Sequence, residues 1–327
     1  MYYEKRVLVA GGAGFIGSNF LVQFVKRYPN YSFICVDYFN YASNRNIIRD
    51  LSSIGNFEFL QLDLSGPLEK IVGLVKSYAI TDIINFAAES SVDRSFQDPL
   101  FFTKNNIIAT QNLLECQRLF PSQIKWFLHV STDEVYGDEL ENCSEVASLS
   151  PTNPYAASKA AIDLIINAYR KSYNSRVTIV RSSNVFGPNQ DCKKLIPLII
   201  KCGMDGTNVP IHGDGTNKRS YLYISDFLDA IDLIWRKRRD DDTVDGIYNI
   251  SGDLNQMIEN RVTVEIINEV FGFTTGIDYV EDRNYNDQFY SIDSTKVHSL
   301  GWEQRISLRD GLVMMMPMMM KKIGPKN

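Results

Sequence analysis

The chain has 327 residues, 44% hydrophobic and 22% charged, a balance that builds a globular core and excludes a disordered or fibrous protein. Its 34 basic and 39 acidic residues leave a net charge of −5, so no broad basic face for nucleic acid is expected. The five cysteines, with no CxxC pair, argue against a disulfide framework and a metal site and fit a reducing, cytoplasmic setting.

This length suits one large or two coupled domains. The polar N-terminus enters a strand pattern at once, with no signal-peptide core. No apolar run reaches the roughly 18 residues of a membrane span. Leu312 to Met320, rich in methionine and broken by Pro317, reads as a final helix and a frayed tail.

In chain order, Arg6-Val7-Leu8-Val9-Ala10 is a buried-strand pattern. Gly11-Gly12-Ala13-Gly14-Phe15-Ile16-Gly17 follows, then an amphipathic helix from Ser18 to Tyr28. Strand, glycine turn and helix are the context in which GxGxxG, or the related GxxGxxG spacing of Gly11, Gly14 and Gly17, binds a pyrophosphate. The next strand, Ser32 to Val36, ends in Asp37, 20 residues past Gly17. An acid there bonds an adenosine ribose and disfavours a 2′-phosphate, which predicts NAD as cofactor. A glycine-rich turn with no ligand is the blander alternative.

Alternation continues with a strand at Phe57 to Leu62, leading to Asp63-Leu64 beside an expected adenine, and a helix from Leu68 to Tyr78. A strand over Asp82 to Phe86 ends in Ala87 and Ala88, small enough for a cofactor to lie close. Pro99 to Phe120 reads as one helix, Trp126 to Val130 as a strand, and Asn153 to Asn174 as a helix. Strands at Arg176 to Val180 and Gly246 to Ile250 bring the total to about seven. The pattern is that of an α/β, doubly wound parallel sheet of the Rossmann type. It loosens after Gly187. Residues 1–187 and 221–250 are expected to form the NAD-binding domain, and 188–220 with 251–327 a smaller substrate-binding domain roofing the C-terminal edge of the sheet.

The chemistry concentrates between Ser131 and Lys159. Tyr155 and Lys159 are four apart, one turn apart on one helix face. A lysine ammonium near a phenol would lower its pKa and make Tyr155 a base. Asp133 and Glu134 follow the Trp126 strand at the carboxyl edge, where open α/β sheets bind ligands. Burial and mutual repulsion are expected to leave one an acid and the other a base. Each feature alone has a plainer reading, a solvated carboxylate pair and a capping tyrosine. Lys194, Arg219 and Arg283 are candidate phosphate partners, or isolated surface charges. His129 and His298 read as strand and surface residues, and His212 lacks metal-ligand partners.

These residues resemble the extended short-chain dehydrogenase/reductases. Ser131-Thr132-Asp133-Glu134-Val135-Tyr136-Gly137 narrows the resemblance to the nucleotide-sugar 4,6-dehydratases. It continues through Lys194-Leu195-Ile196-Pro197, Pro210 to Gly215, Arg219-Ser220-Tyr221-Leu222-Tyr223 and Asp282-Arg283, nearly the whole chain. The run Arg283-Asn284-Tyr285-Asn286-Asp287-Gln288-Phe289-Tyr290 looks more like the UDP-glucose than the dTDP-glucose enzymes.

The resemblance implies transient oxidation at sugar C4 and loss of water across C5 and C6. Tyr155, assisted by Thr132 and Lys159, takes the 4-hydroxyl proton. Glu134 removes the C5 proton, and Asp133 protonates the departing C6 hydroxyl. It further implies NAD contacts from Gly11, Gly14, Phe15, Ile16, Gly17, Asp37, Asp63, Leu64, Ala87, Ala88, Tyr155 and Lys159. Substrate contacts are implied at Ser91, Thr132, Asn184, Lys194, Leu195, Arg219, Arg283 and Tyr290, with a homodimer formed through the two long helices. The alternatives are a dTDP-glucose 4,6-dehydratase, a 4-epimerase and a non-catalytic NAD-binding protein.

Overall fold

The computed structural model describes residues 2–138, 140–240, 245–253 and 257–321. Contacts divide the chain into two compact units, one of Met1–Val135, Leu149–Arg181 and Asp241–Tyr248, the other of Tyr136–Ser148, Ser182–Asp240 and Asn249–Asn327.

The first unit begins β1 (Lys5–Ala10), α1 (Phe15–Arg27), β2 (Tyr31–Asp37), α2 (Arg45–Leu51), β3 (Phe57–Gln61), α3 (Leu68–Ser77) and β4 (Asp82–Asn85). It continues with α4 (Val92–Gln97), α5 (Pro99–Phe102), a π-helical stretch (Thr103–Ile108), α6 (Ala109–Leu119), β5 (Trp126–Thr132), a 3₁₀ turn (Asp133–Tyr136), α7 (Pro154–Tyr173) and β6 (Val177–Ser182). The chain then runs through β7 (Asn184–Phe186), α8 (Leu195–Asp205), β8 (Val209–His212), β9 (Lys218–Arg219), β10 (Tyr221–Tyr223), α9 (Ile224–Asp240) and β11 (Ile247–Ile250). It ends with β12 (Ile258–Glu259), α10 (Asn260–Phe271), β13 (Ile277–Val280), α11 (Thr295–Ser299) and α12 (Leu308–Lys321).

The main sheet has seven parallel strands in the order β11-β6-β5-β4-β1-β2-β3, the expected Rossmann class. The strand order reverses on either side of β1 and β4, and ligands of open α/β sheets bind at such a switch point. The strands are nearly continuous runs of apolar residues because helices cover both faces. Leu8, Ile34, Ile83 and Phe127 pack with Leu113 and Leu114 of α6 and with Ile162 and Ile166 of α7. Each such side chain, fully buried, contributes about 1.5–3 kcal/mol.

α7 starts where its sequence dictates. Asn153 Oδ1 accepts from Ala156 N at 2.9 Å, and Pro154 occupies the first helical position. The helix stops at Asn174, whose left-handed φ of 54° suits asparagine. One expectation needs correction: Pro99 to Phe120 is not a uniform α-helix but opens into π geometry between α5 and α6. α12 runs on through Pro317, and the tail beyond it lies outside the described residues, as does part of the loop after Asp253. No helix among the described residues is long and apolar enough to cross a membrane.

Candidate active site

The β1–α1 turn is built for close approach. Gly11 has φ +68°, and a Cβ on it would lie 2.5 Å from Ala87 N and Cα. A Cβ on Gly17 would meet Gly11 O at 2.4 Å. Helix α1 opens at Gly14 with no side-chain cap and no acid in its first turn, so the amides around Phe15 and Ile16 face an incoming anion. Asp37 ends β2, with Oδ2 accepting from Ala13 N at 3.1 Å and Oδ1 from Phe39 N at 2.8 Å. Burial pushes its carboxyl up, against those two amides. Ala87 and Ala88 follow β4 on the neighbouring edge, across from Gly11. Asp63 is exposed and binds Ser65 through N and Oγ, while the Leu64 side chain points into the core. The turn, the open helix start and the acid together fit a dinucleotide.

At the end of β5, Thr132 Oγ1 donates to Asp133 Oδ1 at 3.1 Å, and Glu134 N to Thr132 Oγ1 at 3.4 Å. Asp133 is buried and Glu134 half-buried on the 3₁₀ turn. Asn153 Nδ2 reaches Glu134 Oε2 at 3.1 Å, tying the turn to the first residues of α7. Tyr155 and Lys159 stand one turn apart on that helix, both buried. Their electrostatics differ from the expected pairing. Burial, then Glu134 and Asp133, push the Tyr155 phenol well up, against the Thr132 hydroxyl. Lys159 Nζ instead donates to Val130 O at 2.6 Å and lies 3.3 Å from His129 Nε2. Burial lowers Lys159 to about 8, against the pull of Asp163. The one-turn spacing holds, but the amine is directed at the strand rather than at the phenol.

Ser91 caps α4, its Oγ accepting from Arg94 N at 3.4 Å. In the second unit, Asn184 pairs in register with Tyr221, and Lys194 and Leu195 begin α8. That unit brings Arg219 and Tyr290 together, the guanidinium 5.2 Å from the ring centre. Arg219 Nη1 also bonds Lys218 O at 2.8 Å, and the Tyr290 hydroxyl donates to buried Asp287. Arg283 N donates to Asp282 Oδ1 at 2.8 Å.

The sequence reading missed a second polar cluster in the first unit. Glu89, 2% exposed, accepts from Tyr38 Oη at 2.7 Å, Asn40 Nδ2 at 2.6 Å and Arg94 Nη1 at 3.0 Å. It joins the loop after Asp37 to the loop after Ala88. Asn106, in the π stretch, donates to Glu89 O at 3.0 Å and Ser158 Oγ at 2.9 Å, and accepts from Glu89 N at 2.8 Å. The available signal was a lone acid directly after two alanines at a strand end.

A family model described as GDP-mannose 4,6 dehydratase matches residues 8–315. An uncharacterized protein of Schizosaccharomyces pombe is 44% identical, over 95% of this chain and 96% of its own length. The trifunctional UDP-glucose 4,6-dehydratase/UDP-4-keto-6-deoxy-D-glucose 3,5-epimerase/UDP-4-keto-L-rhamnose-reductase RHM3 of Arabidopsis thaliana is 39% identical over 95% of this chain. The chain spans 46% of that plant protein. Among solved structures, DesIV, a dTDP-glucose 4,6-dehydratase from Streptomyces venezuelae with NAD bound, superposes with a TM-score of 0.87 at 34% identity, covering 97% of each chain.

Proposed function

The chain belongs to the NAD-dependent nucleotide-sugar 4,6-dehydratases of the extended short-chain dehydrogenase/reductases, and on that premise we propose that its substrate is UDP-glucose. The product is UDP-4-keto-6-deoxyglucose and water, an early intermediate for UDP-rhamnose. The observation that carries the nucleotide assignment is the 39% identity to the plant protein across almost the whole chain. The Asn286-Asp287-Gln288 run supports it.

NAD bound here would supply the redox chemistry, oxidation at C4 and reduction at C6. Gly11, Gly14, Phe15, Ile16 and Gly17 would hold its pyrophosphate, Asp37 its adenosine ribose, and Ala87 and Ala88 would leave it room. Asp63, and Leu64 through its backbone, would border its adenine. Tyr155 takes the 4-hydroxyl proton, assisted by Lys159, with Thr132 hydrogen-bonded to the hydroxyl. The resulting C4 ketone acidifies C5–H, and Glu134, held by Asn153, removes that proton. Asp133 donates to the C6 hydroxyl, which leaves as water. As C6 is then reduced, Glu134 returns its proton to C5. The proton taken from the 4-hydroxyl is released to solvent, from which Asp133 is reprotonated. Each proton transfer contributes on the order of 10²–10⁴-fold in rate. Ser91, Asn184, Lys194, Leu195, Arg219, Arg283 and Tyr290 are assigned to the nucleotide sugar.

The reading extends to a cytoplasmic homodimer. Leu100, Ile108, Leu119, Leu164 and Tyr173 are exposed on the Pro99–Leu119 run and α7, where two copies would form a four-helix interface. Sedimentation of the purified protein tests this, and a monomer at micromolar concentration refutes it.

The test of substrate is parallel incubation with UDP-glucose and dTDP-glucose, read by mass spectrometry for loss of one water. A higher kcat/KM for UDP-glucose supports the assignment. Preference for dTDP-glucose overturns the nucleotide but not the chemistry, and no loss of water from either overturns both.

A further inference from the structure

Three side chains of the loop after β2 reach one buried carboxylate after β4. Tyr38 Oη and Asn40 Nδ2 donate to Glu89 Oε1 at 2.7 and 2.6 Å, and Tyr41 Oη donates to Oε2 at 3.4 Å. Arg94 Nη1 is a further donor to Oε2, at 3.0 Å. An ionised carboxylate offers about four lone-pair sites, so these donors fill it. The Asn40 amide is fixed in this orientation because its Oδ1 accepts from Ala42 N at 2.8 Å. The sheet order β4-β1-β2 puts β1 between the two loops. Their bonds therefore span the carboxyl end of β1, where the Gly11–Gly17 turn starts.

The loop held in this way is strained. Phe39, between Tyr38 and Asn40, has φ +62°, a left-handed value that a bulky side chain rarely adopts. Such a turn persists where its surroundings over-determine it. Phe39 N donates to Asp37 Oδ1, the Phe39 ring stacks on Phe59 at 4.4 Å, and the residues on both sides of it are bonded to Glu89. Asp37 is the acid assigned to the adenosine ribose, so whatever fixes Phe39 also fixes that carboxylate. Glu89 is itself anchored through its main chain. Asn106 Oδ1 accepts from Glu89 N at 2.8 Å, and Asn106 Nδ2 donates to Glu89 O at 3.0 Å.

We infer that Glu89 is a positioning residue for the cofactor, a clasp that fastens the ribose-side loop across the end of β1 so that the loop is pre-organised for the dinucleotide and slow to release it. One cofactor molecule must serve both the oxidation at C4 and the reduction at C6, so its departure between them would strand an oxidised sugar. Retention is therefore part of the chemistry. A pre-organised loop secures it by slowing release more than it alters association. The inference rests on NAD as the cofactor and on Asp37 as its ribose partner, not on which nucleotide sugar is bound.

The test follows release of NAD from the loaded full-length enzyme, chased with isotope-labelled NAD and read by mass spectrometry. Glu89→Gln turns an amide NH₂ toward groups that are themselves donors, and NAD is expected to leave on the order of tenfold faster. Tyr38→Phe deletes one hydroxyl from a half-buried ring and is expected to release NAD several-fold faster. The double variant should be no faster than Glu89→Gln, because both changes open the same clasp. With sugar present, the NAD concentration for half-maximal rate rises in step with release, with a far smaller fall in kcat, a split that general loosening of the fold does not give. Release at the wild-type rate from folded Glu89→Gln and Tyr38→Phe overturns the inference. So does acceleration confined to Glu89→Gln, since the carboxylate would then act without the loop, and so do effects that multiply in the double variant. Where Glu89→Gln fails to fold, Tyr38→Phe alone decides. Release needs no sugar, so failure of the dehydratase reading leaves these rates intact, and unchanged rates leave that reading and the Asp37 assignment standing.

Discussion

Asn153 and Glu134 are joined by a 3.1 Å hydrogen bond, and the same Asn153 caps the helix that carries Tyr155. One amide thus sets both the carboxylate and the phenol. Asn153→Asp keeps a good cap but replaces the donor to Glu134 with a like charge. Its melting temperature is expected to stay close to wild type while kcat falls on the order of tenfold or more. Asn153→Ala additionally loses about 1 kcal/mol of stability in urea titration. Equal kcat in Asn153→Asp and wild type would remove Asn153 from the site.

Asp133 and Glu134 are separable by isotope. In D₂O, Glu134→Gln is expected to abolish deuterium incorporation at sugar C5 and to lower turnover on the order of 10²–10⁴-fold. Asp133→Asn lowers turnover similarly but retains C5 exchange, because proton removal precedes departure of water. The reverse pattern, by NMR of the recovered sugar, exchanges the two roles.

Asp37 serves two backbone amides, so Asp37→Asn can satisfy only one of them as an acceptor. The orphaned N–H costs about 1–3 kcal/mol. NAD affinity is expected to fall at least tenfold on the order of one lost charge-assisted contact, and discrimination against NADP to shrink. Calorimetric titration of stripped protein checks both, and unchanged NAD affinity sinks the ribose assignment.

Lys159 makes stability depend on pH. Its folded pKa is depressed to about 8 from an ordinary 10.5, so the unfolded chain binds more protons between those values and stability rises with pH there. Below about 8 the buried charge is a full penalty. Lys159→Met should be the more stable protein at pH 7, by up to about 3 kcal/mol less the lost bond to Val130 O. Denaturant titrations of both proteins should show the advantage narrowing as pH approaches 10. An advantage constant with pH would mean Lys159 does not titrate in this window.

Much of this was legible in the sequence. The strand, glycine turn and Asp37 announce a dinucleotide site because local chain geometry alone demands those residues there. Tyr155 and Lys159 share a helix face as their spacing requires. The direction of the lysine was not legible, since it depends on Val130 O and His129, which reach it only through strand pairing. His129 read as a strand residue, and its contact with Asn85 arises only through pairing with the adjacent strand. The segment 221–240 shows a similar limit. Which unit it contacts is a long-range property that no local pattern carries, and contacts group it with the second unit.

The π-helical stretch Thr103–Ile108 has a bearing on how relatives are compared. A wide turn holds one residue more than the α turn it replaces, which rotates everything downstream by about 100°. That rotation brings Asn106 to Glu89 and Ser158 while α6 still presents Leu113 and Leu114 to the sheet. Loss of any single residue here would restore ordinary pitch and put the two ends of the run out of step. A one-residue gap in this stretch of an alignment therefore marks the gain or loss of a structural clamp, not drift in a tolerant loop.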